Sequence, residues 1–350
     1  MSEPIKGRGT AENPPNRFEK LSYEPAPEIS PEDLPNPKTE FLKDSSRTVL
    51  ATNDSPDVGF KFSLNPYRGC EHGCAYCFAR PTHEYLGFSA GLDFETRILV
   101  KEDAPALLRK ELSSRRWEPQ TVMVTGVTDA WQPIERTLRL TRRCLEVFLE
   151  FRNPVATISK NELVARDADV LGELAKYGAA GSAFSITTLD ASLSRILEPR
   201  ASVPERRLAA IRALSEAGVP TTVMVAPVIP GLTDHEMPAI LAAAKEAGAR
   251  SAGFVMLRLP GAVAPLFVAW LERHFPDRKE KVLNKVLSLR DGKLYDPTHF
   301  DRQRGHGPYA EQVERLFTVT CRKLGFVNDR GGLSAAAFRN PGAADQLALF

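Results

Sequence analysis

Three cysteines, Cys70, Cys74 and Cys77, stand in the spacing C-x3-C-x2-C within Asn65-Pro66-Tyr67-Arg68-Gly69-Cys70-Glu71-His72-Gly73-Cys74-Ala75-Tyr76-Cys77. Thiolates bind soft and borderline metals, and Gly69 and Gly73 let the backbone wrap tightly around a bound centre. Three thiolates on an iron-sulfur cubane leave one iron without a protein ligand, and an open coordination position is where a metal centre does chemistry. The alternative is a structural zinc with His72 completing a Cys3His set. The chain has five cysteines, an odd number with three crowded into one loop, which suits metal ligation in a reducing compartment better than a disulfide framework.

Further chemistry-bearing residues fall at intervals along the chain. Thr128 and Asp129, in Thr125-Gly126-Val127-Thr128-Asp129-Ala130-Trp131-Gln132-Pro133, offer the acceptors an ammonium needs. Lys160 closes Ile158-Ser159-Lys160 and supplies a cation for a carboxylate or phosphate; its plain alternative is a solvated lysine. Ser185 and Thr187, two apart on an expected strand, point to one face and reach hydroxyl groups there, or belong to an ordinary half-buried strand. Glu198-Pro199-Arg200 sets an acid beside a base, a pair whose common fate is a surface ion pair. In Pro227-Val228-Ile229-Pro230-Gly231-Leu232-Thr233-Asp234, Ile229 offers apolar surface and Asp234 is expected to cap the next helix.

The elements that must position these residues alternate. β-rich runs at Phe60 to Leu64, Thr121 to Thr125, Val155 to Ser159, Ala183 to Thr187, Thr221 to Ala226 and Gly253 to Leu257 are separated by segments of helical period. Leu107, Leu108 and Leu112 follow the cap candidate Asp103, and Leu138, Leu145, Phe148 and Leu149 share a face. Val170, Leu171 and Leu174 precede Gly178; Leu208, Ile211 and Leu214 precede Gly218; Ile240 and Leu241 precede Gly248. Each helix returns the chain across the sheet, so the strands run parallel, and ligands are expected at their C-terminal ends. The fold class is α/β, a partial (β/α)6 barrel, with a flat doubly wound sheet as the competing arrangement. Residues 1–56 read as an extended Pro-rich arm and 57–260 as the core. Residues 261–335 read as a helical extension, with helices at Leu266 to Phe275, Lys279 to Leu289 and Tyr309 to Leu324, and 336–350 as a flexible tail.

The three-cysteine loop after a first strand, with aromatic Tyr76 just before the third cysteine, resembles the radical S-adenosylmethionine (radical SAM) superfamily over about Phe60 to Leu259. The resemblance implies a [4Fe-4S] cluster on Cys70, Cys74 and Cys77 whose open iron binds S-adenosylmethionine. Reductive cleavage then gives a 5′-deoxyadenosyl radical that abstracts hydrogen. It further implies that Tyr76, Gly126, Thr128, Asp129, Lys160, Ser185, Thr187 and Ile229 surround the cofactor, with Lys160 toward the methionyl carboxylate or a substrate phosphate, Ser185 and Thr187 toward the ribose and Ile229 toward the adenine. Within the superfamily the chain resembles the spore photoproduct lyase-like, DNA repair photolyase-like branch. It is similar over nearly its whole length, Lys6-Gly7-Arg8-Gly9 included, to an uncharacterised bacterial group of such proteins. It departs from the lyases in one respect: Gly126 stands where they carry a hydrogen-donor cysteine. Cys144 and Cys321 fall in expected helices as small core residues.

Composition bounds the remainder. Of 350 residues, 43% are apolar, enough for a sizeable core, and 46 Lys and Arg against 44 Asp and Glu exclude a general electrostatic argument for nucleic-acid binding. A basic-then-apolar leader and long apolar runs are missing, so the expected compartment is the cytoplasm, without membrane partners. The last residues, Gln346-Leu347-Ala348-Leu349-Phe350, resemble the peptide by which repair proteins dock on the bacterial sliding clamp, Leu347, Leu349 and Phe350 entering apolar subsites and Gln346 the rim. The alternative is a terminal staple on the parent domain. The expected partners are therefore a clamp, a nucleic-acid substrate and a reductant such as flavodoxin or ferredoxin. The expected activity is radical hydrogen abstraction in DNA repair or nucleic-acid modification. Against it stand a clamp-associated iron-sulfur or zinc protein without catalysis, and radical chemistry on RNA or protein.

Overall fold

Val155, Thr157 and Ser159 are sealed while Ala156 and Ile158 are half-buried, the period-two burial of a strand with one face in a core. That strand is the centre of a sheet in the computed structural model, which describes residues 5–19, 37–327 and 332–342. The strands are β1 (Glu40–Lys43), β2 (Leu50–Thr52), β3 (Phe62–Leu64), β4 (Tyr67–Arg68), β5 (Arg97–Val100), β6 (Val122–Val124), β7 (Val155–Ser159), β8 (Ala180–Ser185), β9 (Thr221–Val228) and β10 (Ser251–Met256).

The main sheet has the order β10-β9-β8-β7-β6-β3-β2, with β3 and β6 to β10 parallel and β2 antiparallel at the edge. A doubly wound sheet needs a point where the strand order reverses; here the order never reverses, so right-handed crossovers keep their helices on one side. The sheet is a partial barrel whose end strands, β2 and β10, do not pair. Its register is staggered: Leu64 faces Val124, Val124 faces Thr157 and Thr157 faces Ser182, so β8 continues beyond its neighbour to Ser185 opposite Met224. A small second sheet, β1-β5-β4, flanks the cysteine loop.

The helices Ala104–Leu112, Leu140–Phe151, Ala168–Ala175, Pro204–Glu216 and Met237–Glu246 pack Leu108, Leu145, Phe148, Leu171, Leu174, Ile211, Leu214, Ile240 and Leu241 onto the outer sheet face. Cys144 lies in this core and Cys321 packs against it, as expected. The helices Val263–His274, Pro276–Ser288 and Pro308–Leu324 follow. The last covers β10, with the Phe254 and Phe317 rings 4.8 Å apart.

Several expectations are corrected. β8 spans Ala180–Ser185 rather than Ala183 to Thr187, so Thr187 lies beyond the strand. Ala179, Ala180 and Gly181 are small enough to enter the strand early, where the β-branched signal of Ile186 and Thr187 suggested a later start. Within the extended arm, β1 pairs with β5 and β2 with β3. Residues 336–342, expected to be flexible, are docked: Arg339 N and Nε donate to the Phe151 and Glu150 carbonyls at 2.9 Å, and Asn340 Nδ2 donates to Ser113 O at 3.1 Å. Asp234 does not cap the following helix, whose N-cap position is Glu236. Its carboxylate instead accepts from Lys285 Nζ at 3.1 Å and from the Tyr309 hydroxyl, tying the helical extension to the loop after β9.

Burial opposes ionisation of Asp234, yet Tyr309, the Gly231 backbone and Lys285 together hold its carboxyl below the ordinary range. A depressed carboxyl contributes stability above its unfolded pKa, lost as the pH falls through the folded value. Asp234→Asn is therefore expected to lower unfolding free energy by about 1–2 kcal/mol at pH 7. The gap from wild type should narrow below about pH 4, where the carboxyl of the unfolded chain begins to protonate and the folded one follows at lower pH. Urea titrations at pH 7 and pH 3.5 check this, and a gap that widens in acid would refute it.

Candidate active site at the cysteine loop

The cysteine loop leaves β4 through Gly69 and turns again at Gly73, both in the left-handed region with φ of 82° and 66°. Its backbone is anchored from three sides: Cys70 N donates to Phe94 O at 2.8 Å, Ala75 N to Leu197 O at 2.9 Å and Glu71 N to Gln132 Oε1 at 2.9 Å. Beneath it lies a buried ion pair. Arg80 and Glu95 are both fully buried, 2.5 Å apart, and Arg80 Nε and Nη2 also donate to the Cys74 carbonyl at 3.1 and 2.9 Å. The same Glu95 carboxylate accepts from Gly9 N, Thr10 N and Thr10 Oγ1 at 3.0, 3.1 and 3.2 Å, drawing the N-terminal arm onto the loop. A side chain at Gly9 would collide with the Gly73 carbonyl, so close approach requires glycine there.

Cys70 and Cys74 are buried and Cys77 is half-buried. Burial raises the Cys70 thiol well above its ordinary value, and Asp129, Cys74 and Cys77 raise it further; burial and Glu198 raise Cys74. Three mutually repelling sulfurs in a dry site favour thiolates only when a cationic centre neutralises them, which is the donor set a cluster uses. Among the described residues no three His, Cys, Asp or Glu side chains are arranged to hold a single metal ion. The Cys3His zinc set is corrected by His72 itself. Its Nδ1 lies 3.4 Å from Asp129 Oδ2 and its Nε2 lies 3.1 Å from Asn161 Nδ2, so both ring nitrogens are engaged behind the loop.

Asp129 acts in the same brace. Its carboxylate accepts from Trp131 N at 2.9 Å, Ser159 Oγ at 2.8 Å and Lys160 N at 2.8 Å, besides facing His72. Burial opposes its ionisation, but His72 and these donors hold its pKa down at about 2. Its acceptors serve the protein, fixing the loop after β6 to the end of β7. Thr128 Oγ1 donates to Tyr67 O at 2.8 Å, and Asn65 Oδ1 receives the amides of Gly126 and Val127 at 3.1 and 3.2 Å. A Cβ at Gly126 would stand 3.1 Å from Ser63 Cβ, so this position is packed for glycine.

Lys160, Thr187 and Ile229 gather at Tyr76. The Lys160 ammonium is 5.9 Å from the centre of the Tyr76 ring, and the Tyr76 hydroxyl bonds Thr187 Oγ1 at 3.1 Å and the Glu198 carboxylate. Ile229, fully buried, packs in one apolar cluster with Cys74, Tyr76 and Leu257. Ser185 is buried at the end of β8, where its carbonyl accepts Arg207 Nη1 at 2.8 Å. Glu198 is not a surface partner of Arg200: it is buried and paired with Arg207, while Arg200 reaches Glu71 at 3.2 Å. Burial raises the Glu198 carboxyl, but Arg207 and Lys160 outweigh it and keep it below its ordinary range. Arg80, Glu95, Asn65, Asn161 and Arg207 carried no spacing signal in the sequence. Gln346, Leu347, Leu349 and Phe350 lie outside the described residues.

An open parallel barrel with a glycine-hinged cysteine loop at its mouth has a counterpart among protein families. The family model described as Radical SAM superfamily matches residues 64–244, and the chain belongs to that superfamily. It is a radical SAM enzyme, and the superfamily uses a [4Fe-4S] cluster with S-adenosylmethionine. Uncharacterized protein Rv2578c of Mycobacterium tuberculosis is 37% identical over 232 residues, 65% of this chain and 68% of that one. Uncharacterized protein MJ0683 of Methanocaldococcus jannaschii is 27% identical over 255 residues, 73% and 91% of the two chains. In fold, the chain is similar to spore photoproduct lyase complexed with dinucleoside spore photoproduct, with a TM-score of 0.55, 19% identity and coverage of 81% and 79%. A spore photoproduct lyase variant with bound AdoMet and the same dinucleoside gives 0.51 at 16% identity, covering 81% and 78%. Among the described residues no helix is long and apolar enough to cross a membrane.

Removing the Glu95 charge strands Arg80 in a dry site. Glu95→Gln is expected to cost about 3–5 kcal/mol and to lower iron retained after anaerobic reconstitution. Thermal unfolding and iron assay check it; an unchanged melting temperature would contradict the role assigned to this pair.

Proposed function

We propose that this enzyme abstracts hydrogen from a nucleic-acid base or nucleotide, in DNA repair or nucleic-acid modification. The observation that carries the reading is the convergence of Cys70, Cys74 and Cys77 with Tyr76, Lys160, Thr187 and Ile229 at one barrel mouth. Support for the substrate class comes from the fold shared with structures that hold a dinucleoside spore photoproduct. When bound, the cluster and S-adenosylmethionine supply one-electron reduction and radical hydrogen abstraction.

The chain's own residues then have distinct work. Cys70, Cys74 and Cys77 would hold the cluster. Lys160 presents a cation to the methionyl carboxylate or a substrate phosphate. Tyr76, fixed by Thr187 and Glu198, and Ile229 form an apolar wall that excludes water beside the sulfurs. Gly126, packed against Ser63, brings no thiol to the mouth, so hydrogen return follows a route different from that of a lyase with a cysteine there. The electron comes from a flavodoxin- or ferredoxin-type reductant, and Gln346 to Phe350 dock the enzyme on a sliding clamp.

Anaerobically reconstituted protein, reduced with dithionite, should convert S-adenosylmethionine to 5′-deoxyadenosine, and damaged DNA should change the yield or the product distribution. Cys77→Ala should reduce deoxyadenosine to background. A reduced cluster-loaded protein that forms none would refute radical catalysis. Deletion of Gln346 to Phe350 should abolish clamp binding in calorimetry; equal affinity before and after deletion would overturn the docking role.

A further inference from the structure

The end of β10 carries a group of arginines that the cysteine site does not use. Arg290 is fully buried on the segment after Pro276–Ser288, and its Nη2 donates to the carbonyl of Leu257 at 2.7 Å. Its Nε and Nη1 have no acceptor among the described residues. The next residue after Leu257 is Arg258, half-buried, whose Nε also has none among them. Arg302 stands nearby with its guanidinium turned to Asp57 and Ser55, and its carbonyl lies 3.5 Å from Arg290 Nη2.

Buried guanidinium donors without acceptors are costly, and like charges beside each other add to the cost. Burial lowers the pKa of both Arg258 and Arg290; Arg302 lowers Arg258 further and Arg258 lowers Arg290. Tyr295 faces Arg258 and Arg302 and raises both, and the acids that face the group are Asp57, taken by Arg302, and the half-buried Asp296. The arrangement therefore carries surplus positive charge and three buried donor nitrogens without acceptors among the described residues. It also lies beside the cluster loop, because the Arg258 guanidinium sits 4.7 Å above the ring of Phe78, the residue after Cys77.

We propose that Arg258 and Arg290, with Arg302 at their flank, form a phosphate-binding subsite for the substrate at the C-terminal end of β10. Arginine forks match phosphate oxygens in shape and charge. Phe78, 46% exposed next to Arg258, offers an aromatic ring where a base attached to that phosphate stacks. This inference rests on the preceding reading only for the source of the phosphate, a nucleic-acid backbone.

The test uses the full-length, cluster-loaded protein with S-adenosylmethionine and no reductant, so binding is read independently of radical chemistry. The probes are fluorescent tetrathymidylate, its uncharged methylphosphonate analogue and inorganic phosphate. Tetrathymidylate should bind more tightly than the methylphosphonate, and Arg258→Gln should weaken it roughly 10- to 100-fold. Arg315→Gln, an exposed arginine on the outer helix, should leave binding at the wild-type value. Arg290→Lys, which keeps the charge but loses the fork, should weaken it as well. Inorganic phosphate binding that Arg258→Gln abolishes, without tetrathymidylate binding, would keep the subsite and assign it to a small phosphorylated substrate. Equal binding of every anion by wild type and Arg258→Gln would overturn the subsite, whether or not deoxyadenosine is formed.

Discussion

A single carboxylate without access to water, that of Glu95, holds the cysteine loop in place. It joins Arg80, which grips the Cys74 carbonyl, to the amides of Gly9 and Thr10 from the N-terminal arm. A buried ion pair contributes little net stability by itself, but losing either partner leaves a bare charge in a dry interior. That asymmetry makes the pair a lock. The loop must resist the mutual repulsion of three sulfurs, and the lock fixes its backbone before any metal arrives.

A second brace works from the sheet. Asp129 ties His72 to the ends of β6 and β7, so the middle of the loop is set by the same strand ends that deliver Lys160. The staggered register carries β8 further than β7, and Thr187, one step past Ser185 and Ile186, reaches Tyr76. The mouth is thus a consequence of barrel shear. Strapping of residues 332–342 across the ends of the helices and loops before β6, β7 and β8 occupies the opposite end, through the carbonyls of Ser113, Phe151 and Gly178. Stability and chemistry are separated along the barrel axis, as in other parallel barrels.

Much of the site was legible because its signals are local. The C-x3-C-x2-C spacing, glycines at tight turns, an aromatic before the third cysteine and Lys160 at the close of a β-branched run are short-range features. Strand limits were less legible where small residues begin a strand, as at Ala180 and Gly181. The pairing of Glu198 was misread because a neighbouring arginine, Arg200, is the obvious partner along the chain. Arg207, one helical turn into Pro204–Glu216, is the partner in space.

The sequence by itself determined the cysteine spacing, the parallel alternation and the order in which polar residues arrive at the strand ends, because these follow from residue type and period. Only the tertiary structure decided which charges meet. Arg80 with Glu95, His72 with Asp129, Arg258 beside Arg290 and the arm at Gly9 against Gly73 join residues separated by between 15 and 64 positions and brought together from different elements. Such contacts depend on the stagger of the sheet and on burial, and neither leaves a periodic trace in the chain.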